Sequence, residues 1–211
     1  MICVSLANIP FNEFFPQVRN FEMIEFRIDL LDYTSKEYQQ IIDTGITTIA
    51  TYREEDTKKK FDALERLINM GVTYVDIELD SEISYIKKIS KAINNLACKS
   101  IFSYHNFEKT PDIKYLQKII DKAQKLSAHY TKIVCYANNK QDVARVLSLY
   151  EENNKIIAFN MGEIGKISRI TSLFLGADFT YASYSKNKIT AEGQYTYQEL
   201  NSLNQIIKDI Q

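Results

Sequence analysis

Eight short apolar stretches recur along the chain, and an amphipathic helical pattern lies between each and the next. The stretches are rich in β-branched and aromatic residues, and they return roughly every 20 to 30 residues, the period of a strand-plus-helix unit. We therefore predict eight strands, at positions 2–6, 23–29, 47–52, 73–79, 100–105, 132–137, 155–161 and 178–183.

Strict alternation of strands and helices predicts parallel strands joined by right-handed crossovers. Eight units favour closure into a (β/α)8 TIM barrel, and no Pro-, Gly- or Ser-rich linker divides the chain, so we expect one α/β domain over residues 1–211. The chain is short for this fold, which typically takes about 250 residues. No Gly-x-Gly-x-x-Gly pattern follows the first stretch, which argues against a Rossmann fold.

Several helix starts can be read from local signals. Capping boxes predict starts at Thr34 and Thr196. Thr110 predicts another start because Pro111 follows it, at the first helical position that proline prefers. Ser168 is predicted to cap the helix that begins at the next residue.

Composition narrows the class of protein. Acidic and basic residues nearly balance, for a formal net charge of −1, so there is no electrostatic footprint for nucleic acid or an anionic membrane. No apolar run reaches the roughly 18 residues of a membrane span, and the first residues show no basic leader. The three cysteines lie in or beside apolar runs, as reduced buried thiols do. We expect a cytoplasmic protein.

Charged side chains fall on strand faces where a barrel should be apolar. Residues two apart share a face of a strand. The residues concerned are Glu25, Arg27 and Asp29, then Asp76 and Glu78, then Ser103 and His105, with Arg53 ending another strand. Taken alone, Asp29 or Asp76 is interpreted as a structural ion-pair partner. The whole set is better explained by a polar substrate, because buried ionic networks add little net stability.

Lys132 opens the stretch Lys-Ile-Val-Cys-Tyr-Ala, which otherwise predicts a buried strand. A lone ammonium there is costly to desolvate, so its charged form is disfavoured. An amine that is neutral near pH 7 is a nucleophile that can form a Schiff base with a ketone. His105, at the end of an earlier strand, supplies a proton shuttle, whereas His129 is interpreted as a surface or packing residue. Lys132 and His105 together indicate carbonyl chemistry.

Two loops carry signals for anion binding. After the seventh stretch, two glycines allow a tight loop, and Arg169 beside Ser168 at a helix start makes a carboxylate clamp. After the eighth stretch, Thr190 and Gln194 supply a hydroxyl and an amide, while Glu192 is interpreted as solvated.

Together these motifs resemble the type I 3-dehydroquinate dehydratase family over essentially the full chain. They are, in order, Glu25-Phe26-Arg27-Ile28-Asp29, Thr51-Tyr52-Arg53, Ser103-Tyr104-His105-Asn106-Phe107, Lys132-Ile133, the stretch from Gly165 to Arg169, and Gly193-Gln194.

The resemblance implies that Lys132 forms an imine with the C3 ketone of 3-dehydroquinate. His105 would take a proton from C2 and then protonate the departing C1 hydroxyl, giving 3-dehydroshikimate and water. Substrate-binding residues are also implied, Ser5, Glu25, Arg27 and Arg53 towards the hydroxyls, and Arg169, Thr190 and Gln194 at the carboxylate.

The resemblance implies no metal and no organic cofactor, and the sequence shows no site for one. The family is often dimeric, but a homodimer interface cannot be read from one sequence. Whether the reaction serves aromatic biosynthesis or quinate breakdown is also left open.

The chain departs from the family pattern in three places. Members usually begin with an extra N-terminal hairpin beneath the barrel, and here the chain starts at the first strand. The loop after Arg53 reads Glu54-Glu55-Asp56-Thr57-Lys58 instead of containing Glu-Gly-Gly, so the acid that orients His105 is not identified. The closing loop has Thr190 and Glu192 in place of Ser and Pro. Threonine keeps the hydroxyl, and loss of the proline loosens the lid, so we expect an active but slower enzyme.

Two alternatives are open. A class I aldolase or transaldolase would share Lys132 but has no need for both the Arg169 clamp and Gln194. A non-catalytic descendant that binds a quinate-like ligand is supported only by the altered loop at 54–58.

Overall fold

A computed structural model describes residues 1–55, 57–93 and 96–210. Within these residues the chain alternates strands and helices as the apolar pattern predicts. The strands are β1 Ile2–Leu6, β2 Met23–Arg27, β3 Thr47–Thr51, β4 Tyr74–Glu78, β5 Lys99–Asn106, β6 Tyr130–Tyr136, β7 Ile156–Met161 and β8 Thr180–Ser183. The helices are α1 Phe11–Phe14, α2 Ser35–Ile42, α3 Thr57–Asn69, α4 Ile83–Ile93, α5 Ile113–Lys125, α6 Lys140–Leu147, α7 Ile167–Phe174 and α8 Tyr197–Ile210.

All the described strands run parallel and form one sheet in the order β7-β6-β5-β4-β3-β2-β1-β8. Strand β1 pairs with β2 on one side and with β8 on the other, which curls the sheet into a nearly closed barrel. The predicted (β/α)8 TIM barrel is therefore confirmed. In such a barrel the carboxyl ends of all strands meet at one rim.

The lower half of the barrel interior is apolar and aromatic. Met23 and Ile49 are fully buried there, and the rings of Tyr130 and Phe179 meet edge to face, 5.7 Å between centroids. A larger core packs α1 to α4 against the sheet, and two smaller ones pack the helices that follow. The charged side chains Glu25, Asp76 and Lys132 lie farther along their strands, towards the carboxyl ends.

Two helix starts differ from the prediction. The capping box at Thr34 is confirmed, and Thr196 makes the same reciprocal bonds with Glu199. Helix α5, however, is capped by Asp112, whose carboxylate accepts from the backbone N–H of Tyr115 (2.8 Å). The prediction that Thr110 caps it is wrong, because the Thr110 hydroxyl is used elsewhere.

The Thr110 hydroxyl donates to the carbonyl of Tyr136 at the end of β6 (2.8 Å). The prediction for Ser168 is also wrong. Helix α7 begins at Ile167, and the Ser168 hydroxyl donates to the Gly165 carbonyl (2.6 Å) while accepting from the backbone N–H of Asn160 (2.7 Å). Ser168 thus ties the start of α7 to β7.

Strand β2 is shorter than predicted. It ends at Arg27, and a turn of 3-10 helix covers Ile28–Leu30. Asp29 therefore does not extend the strand face. Its carboxylate instead receives two bonds from the Arg27 guanidinium (2.6 and 3.1 Å), which fits the structural role considered for Asp29.

No helix within the described ranges combines the length and the apolar character needed to cross a bilayer. Cys3, Cys98 and Cys135 are all buried and free, as expected for reduced thiols.

Candidate active site

The carboxyl ends of the strands enclose a cavity of about 350 Å³. Every side chain predicted from the sequence to act in a site contributes to its wall, namely Ser5, Glu25, Arg27, Arg53, His105, Lys132, Arg169, Thr190 and Gln194. The structure therefore brings together residues that are up to 189 positions apart in the sequence (194 minus 5).

Lys132 lies on β6 at the base of the cavity and is only 5% exposed. Its Nζ donates to Oδ2 of Asp76 (3.0 Å) and lies 3.9 Å from Oε1 of Glu25. The ring of Tyr181 is 4.0 Å from the same nitrogen. The expectation of a lone ammonium is wrong, because β4 and β2 supply two buried carboxylates. These contacts hold the amine at one place in the cavity.

Glu25 is fixed by hydroxyls from both neighbouring strands. Ser5, its register partner on β1, donates to Oε2 (2.6 Å), and Thr51 on β3 donates to Oε1 (2.8 Å). These two hydrogen bonds fix both carboxylate oxygens of Glu25. Ser5 lines the cavity, and its hydroxyl proton is directed to Glu25.

Asp76 is fully enclosed and accepts from three groups. Besides Lys132, Arg53 Nη2 lies 2.9 Å from Oδ1, and the Ser103 hydroxyl donates to the same oxygen (2.6 Å). Burial alone would raise the pKa of Asp76, but Arg53, Lys132 and His105 together hold it well below its usual range. Asp76 is therefore a permanent anion at neutral pH. Asp76 is an ion-pair partner, as interpreted from the sequence, and both of its cationic partners line the cavity.

His105 lies at the end of β5, with its ring stacked almost parallel to Phe107 (12°, 6.0 Å between centroids). Burial is the main cause that lowers its pKa well below 6.5, and the positive charges of Arg53 and Lys132 lower it further. The negative charge of Asp76 opposes this shift without reversing it. The imidazole is therefore neutral at pH 7 and able to accept a proton.

The acid that orients His105 is not found in the loop after Arg53 among the described residues. Glu54 is exposed and accepts a hydrogen bond from the Tyr52 hydroxyl (3.0 Å). Asp56, the third acid considered, lies outside the described residues. Asp76 is the carboxylate whose charge acts on His105.

Arg169, the third residue of α7, is 1% exposed, and its guanidinium lies 4.4 Å from the ring of Phe159. Its Nε and Nη2 have no hydrogen-bond partner among the described residues. Burial lowers the pKa of Arg169 to about 10, so it still carries a positive charge at pH 7. A buried guanidinium with free donors at the wall of a cavity is suited to a planar anion such as a carboxylate.

The turn that delivers Arg169 requires a glycine. A Cβ at Gly165 would lie 2.4 Å from the carbonyl oxygen of Met161 and 2.6 Å from the Cβ of Asn160. These contacts are too close for any other residue without moving the backbone of β7. Gly165 thus lets α7 begin directly against the strand.

Thr190 and Gln194 lie on the loop after β8 and are linked to each other. The Gln194 carbonyl oxygen accepts from the Thr190 backbone N–H (3.0 Å) and from its hydroxyl (3.1 Å). This geometry leaves the amide nitrogen of Gln194 as the donor that the side chain can direct to a ligand.

Glu192 contacts the neighbouring loop instead of being only solvated. Although exposed, its carboxylate accepts from the Tyr136 hydroxyl (3.2 Å), and its carbonyl accepts from the backbone N–H of Gly162 (3.2 Å). Gly193, with φ of +73°, packs so closely that a Cβ would lie 2.3 Å from the Gly162 carbonyl oxygen. The loop after β8 is therefore docked on the loop after β7.

His129 is placed as expected for a packing residue. Its Nδ1 accepts from the backbone N–H of Ser100 (3.1 Å), and it does not line the cavity.

Several residues that shape the site were not assigned a role from the sequence, among them Thr51, Tyr181 and Phe159. Thr51 appeared only inside a motif, Tyr181 resembled any other core aromatic residue, and Phe159 lay in an apolar run. Only the twofold periodicity of β7 and β8 could have indicated that Phe159 and Tyr181 face inward.

The sequence comparisons identify one family. A family profile described as "Type I 3-dehydroquinase" matches residues 2–211. A 3-dehydroquinate dehydratase from Methanococcus maripaludis is 33% identical over 199 aligned positions, covering 89% of this chain and 88% of that protein.

Two solved structures superpose over nearly the full chain. The 3-dehydroquinate dehydratase from Aquifex aeolicus VF5 has a TM-score of 0.81 and 26% identity, covering 98% of both chains. A type I 3-dehydroquinate dehydratase from Clostridium difficile, solved with covalently modified comenic acid, has a TM-score of 0.85, covers 100% of this chain and 93% of its own, and is 22% identical. The similarity to the Clostridium difficile structure shows a shared fold alone.

Proposed function

Because this chain belongs to the type I 3-dehydroquinase family, whose enzymes are hydro-lyases, we propose that it dehydrates 3-dehydroquinate through an imine on Lys132. His105 acts as the general base and then as the general acid. The observation that carries the proposal is the joint placement, around one cavity, of a buried amine, a neutral imidazole and a guanidinium with two nitrogens that have no hydrogen-bond partner among the described residues.

Lys132 begins the reaction. After losing a proton, its amine adds to the C3 carbonyl, and the carbinolamine loses water to give a protonated imine. The positive charge then lies on a nitrogen that is already flanked by Asp76 and Glu25. These carboxylates stabilise the cation without moving, which is electrostatic preorganisation.

His105 carries the protons of the elimination. The protonated imine acts as an electron sink, so the neutral imidazole can take the C2 proton and leave an enamine. The enamine electrons expel the C1 hydroxyl, which His105 protonates, so that water leaves. Hydrolysis of the new conjugated imine releases 3-dehydroshikimate and restores the Lys132 amine.

The remaining cavity residues fix the substrate. The Arg169 guanidinium and the Gln194 amide hold the carboxylate at one side of the cavity, beside Thr190. Glu25, Arg27 and Arg53 hold hydroxyls at the other side, with Ser5 orienting Glu25. Binding at both sides places C2 and C3 between His105 and Lys132, which lowers the entropic cost of the reaction.

The direct test is reductive trapping. The protein is mixed with 3-dehydroquinate and borohydride, and its intact mass and peptide map are measured. A covalent adduct on Lys132 supports the proposal. A folded protein that gives no adduct and no enone product would overturn it, and trapping by a sugar phosphate instead would favour an aldolase.

Replacing Arg169 with methionine should raise KM for 3-dehydroquinate about 10- to 100-fold, because a charge-assisted hydrogen-bonding partner of the carboxylate is lost. The same change should raise the Tm of the free protein, since it removes a buried charge whose Nε and Nη2 have no hydrogen-bond partner among the described residues. Steady-state kinetics and thermal unfolding measure the two effects. Arg145→Met is the control, because Arg145 pairs with Asp142 (2.8 Å) outside the cavity. An unchanged KM in Arg169→Met would contradict the role of Arg169 in binding the substrate carboxylate.

The pH profile should report the environment of His105. The free enzyme needs the neutral imidazole, and burial with Arg53 and Lys132 holds its pKa well below 6.5. We therefore expect kcat/KM to stay level as the pH falls from about 7 to about 6, and to decline only below that range. In Arg53→Met the acidic limb should move to higher pH, because one of the charges that lowers the pKa is gone. An acidic limb at or above 6.5 in the wild type would contradict this assignment.

A further inference from the structure

We infer that Lys60 is a positioning residue for the dehydration, acting through Glu78 on Arg53. This inference rests on the proposed function and adds a residue outside the cavity wall to it. Lys60 lies on α3 and does not line the cavity itself.

Lys60 is buried, at 7% exposure, which is rare for a lysine unless its charge is paired. Its Nζ forms an ion pair and hydrogen bond with Oε2 of Glu78 on β4. The ring of Tyr85 on α4 lies 6.0 Å from the same nitrogen. Lys60 on α3 therefore places a desolvated positive charge against Glu78, on the side away from the cavity.

A series of ion pairs connects Glu78 to the Lys132 amine. The second oxygen of Glu78, Oε1, lies 2.8 Å from Nη1 of Arg53, and Nη2 of Arg53 lies 2.9 Å from Oδ1 of Asp76. Oδ2 of Asp76 then accepts from Lys132 (3.0 Å). Each carboxylate divides its two oxygens between two cations, so the position of every group in this chain depends on the next.

Loss of Lys60 would change both the charge and the geometry of the cavity wall. Among the described residues, Glu78 would keep only Arg53 as a cation. Its side chain, 23% exposed, would lose the contact with Lys60 that holds it on the side away from the cavity. The uncompensated carboxylate would repel an anionic substrate and draw Arg53 away from Asp76. Substrate binding would weaken, because Arg53 shifts and the negative charge of Glu78 is uncompensated. Turnover would fall, because the shift of Arg53 disturbs Asp76 and, through it, Lys132.

The test compares Lys60→Met with Lys60→Arg, which keeps the cation, and with Lys87→Met, which makes the same change at an exposed lysine on α4. We expect Lys60→Met to lower kcat/KM about tenfold or more and to raise KM, because small displacements of positioning groups are costly. Lys60→Arg should recover most of the loss, and Lys87→Met should match the wild type. Circular dichroism checks folding, and Lys60→Gln, which keeps a donor without the charge, replaces Lys60→Met if that variant does not fold.

A double-mutant cycle with Glu78→Gln tests whether Lys60 acts through Glu78. If Lys60 acts through Glu78, adding Lys60→Met to Glu78→Gln should cost much less than Lys60→Met costs alone. Fully additive losses would overturn the inference, as would unchanged kinetics in folded Lys60→Met. A lower kcat with unchanged KM and a reduced folded fraction would make Lys60 merely structural and overturn it too.

The wild type separates this inference from the proposed function. Wild-type turnover of 3-dehydroquinate with Lys60→Met unchanged would overturn only the role of Lys60. A folded wild type that neither traps nor dehydrates 3-dehydroquinate would overturn the proposed function and, with it, this inference.

Discussion

Replacing Lys132 with methionine should abolish borohydride trapping and lower kcat/KM by at least about 10³-fold, because the covalent route through the imine is lost. The change also leaves Asp76 and Glu25 with one cation fewer in a buried site, so the variant should unfold at a lower temperature. Mass analysis after trapping, steady-state kinetics and thermal unfolding measure these effects.

A second variant separates lost chemistry from lost stability. Lys132→Arg keeps a cation near Asp76, but a guanidinium is not a nucleophile at neutral pH. This variant should fold and remain inactive. Lys208→Met, at an exposed lysine near the end of α8, is the control for the methionine change and should retain full activity. Substantial turnover by Lys132→Arg would contradict a covalent mechanism.

Replacing His105 with alanine should leave imine formation possible while lowering turnover about 10²- to 10⁴-fold, the usual contribution of a general acid–base group. The amine remains paired with Asp76 and Glu25, and the cavity still has its anion-binding side. Trapped protein should therefore carry an adduct heavier by one water than the adduct formed from the dehydrated product. Intact-mass analysis distinguishes the two adducts.

The chain provides a matched control for this prediction in its second histidine. His129→Ala removes an imidazole that packs against Ser100, away from the cavity, and should retain turnover. If His105→Ala turned over at the wild-type rate, or if its trapped adduct were already dehydrated, the role assigned to His105 would be lost.

The sequence predicted the architecture well because the signals are local and repeated. A twofold apolar period in short stretches and helical periodicity between them are enough to predict parallel strands, and eight units are enough to predict a barrel. The errors lie at element ends. Helix α5 is capped by Asp112 rather than Thr110, because the Thr110 hydroxyl bonds to the carbonyl of Tyr136 on β6 instead. Strand β2 stops at Arg27, where a turn of 3-10 helix begins and Asp29 pairs with Arg27.

The candidate site was predicted as a set of residues, but their partners were not. Polar residues at inward positions near strand ends must converge once a barrel closes, so Glu25, Arg53, His105 and Lys132 could be grouped from the sequence. Which atoms meet could not be predicted. The sequence predicted Lys132 to be a lone ammonium. In the structure, Asp76, 56 positions away in the sequence, lies 3.0 Å from its nitrogen.

The sequence by itself determined the order of strands and helices, the inward faces of those strands and the residues available for chemistry, because each follows from spacing along the chain. Only the tertiary structure decided that Asp76 is shared by Lys132 and Arg53 and that Lys60 pairs with Glu78. It also decided that Arg169 is buried with its Nε and Nη2 lacking a hydrogen-bond partner among the described residues. These relations depend on distances between different strands and helices, and such distances are set by barrel closure and helix packing, which no local pattern encodes.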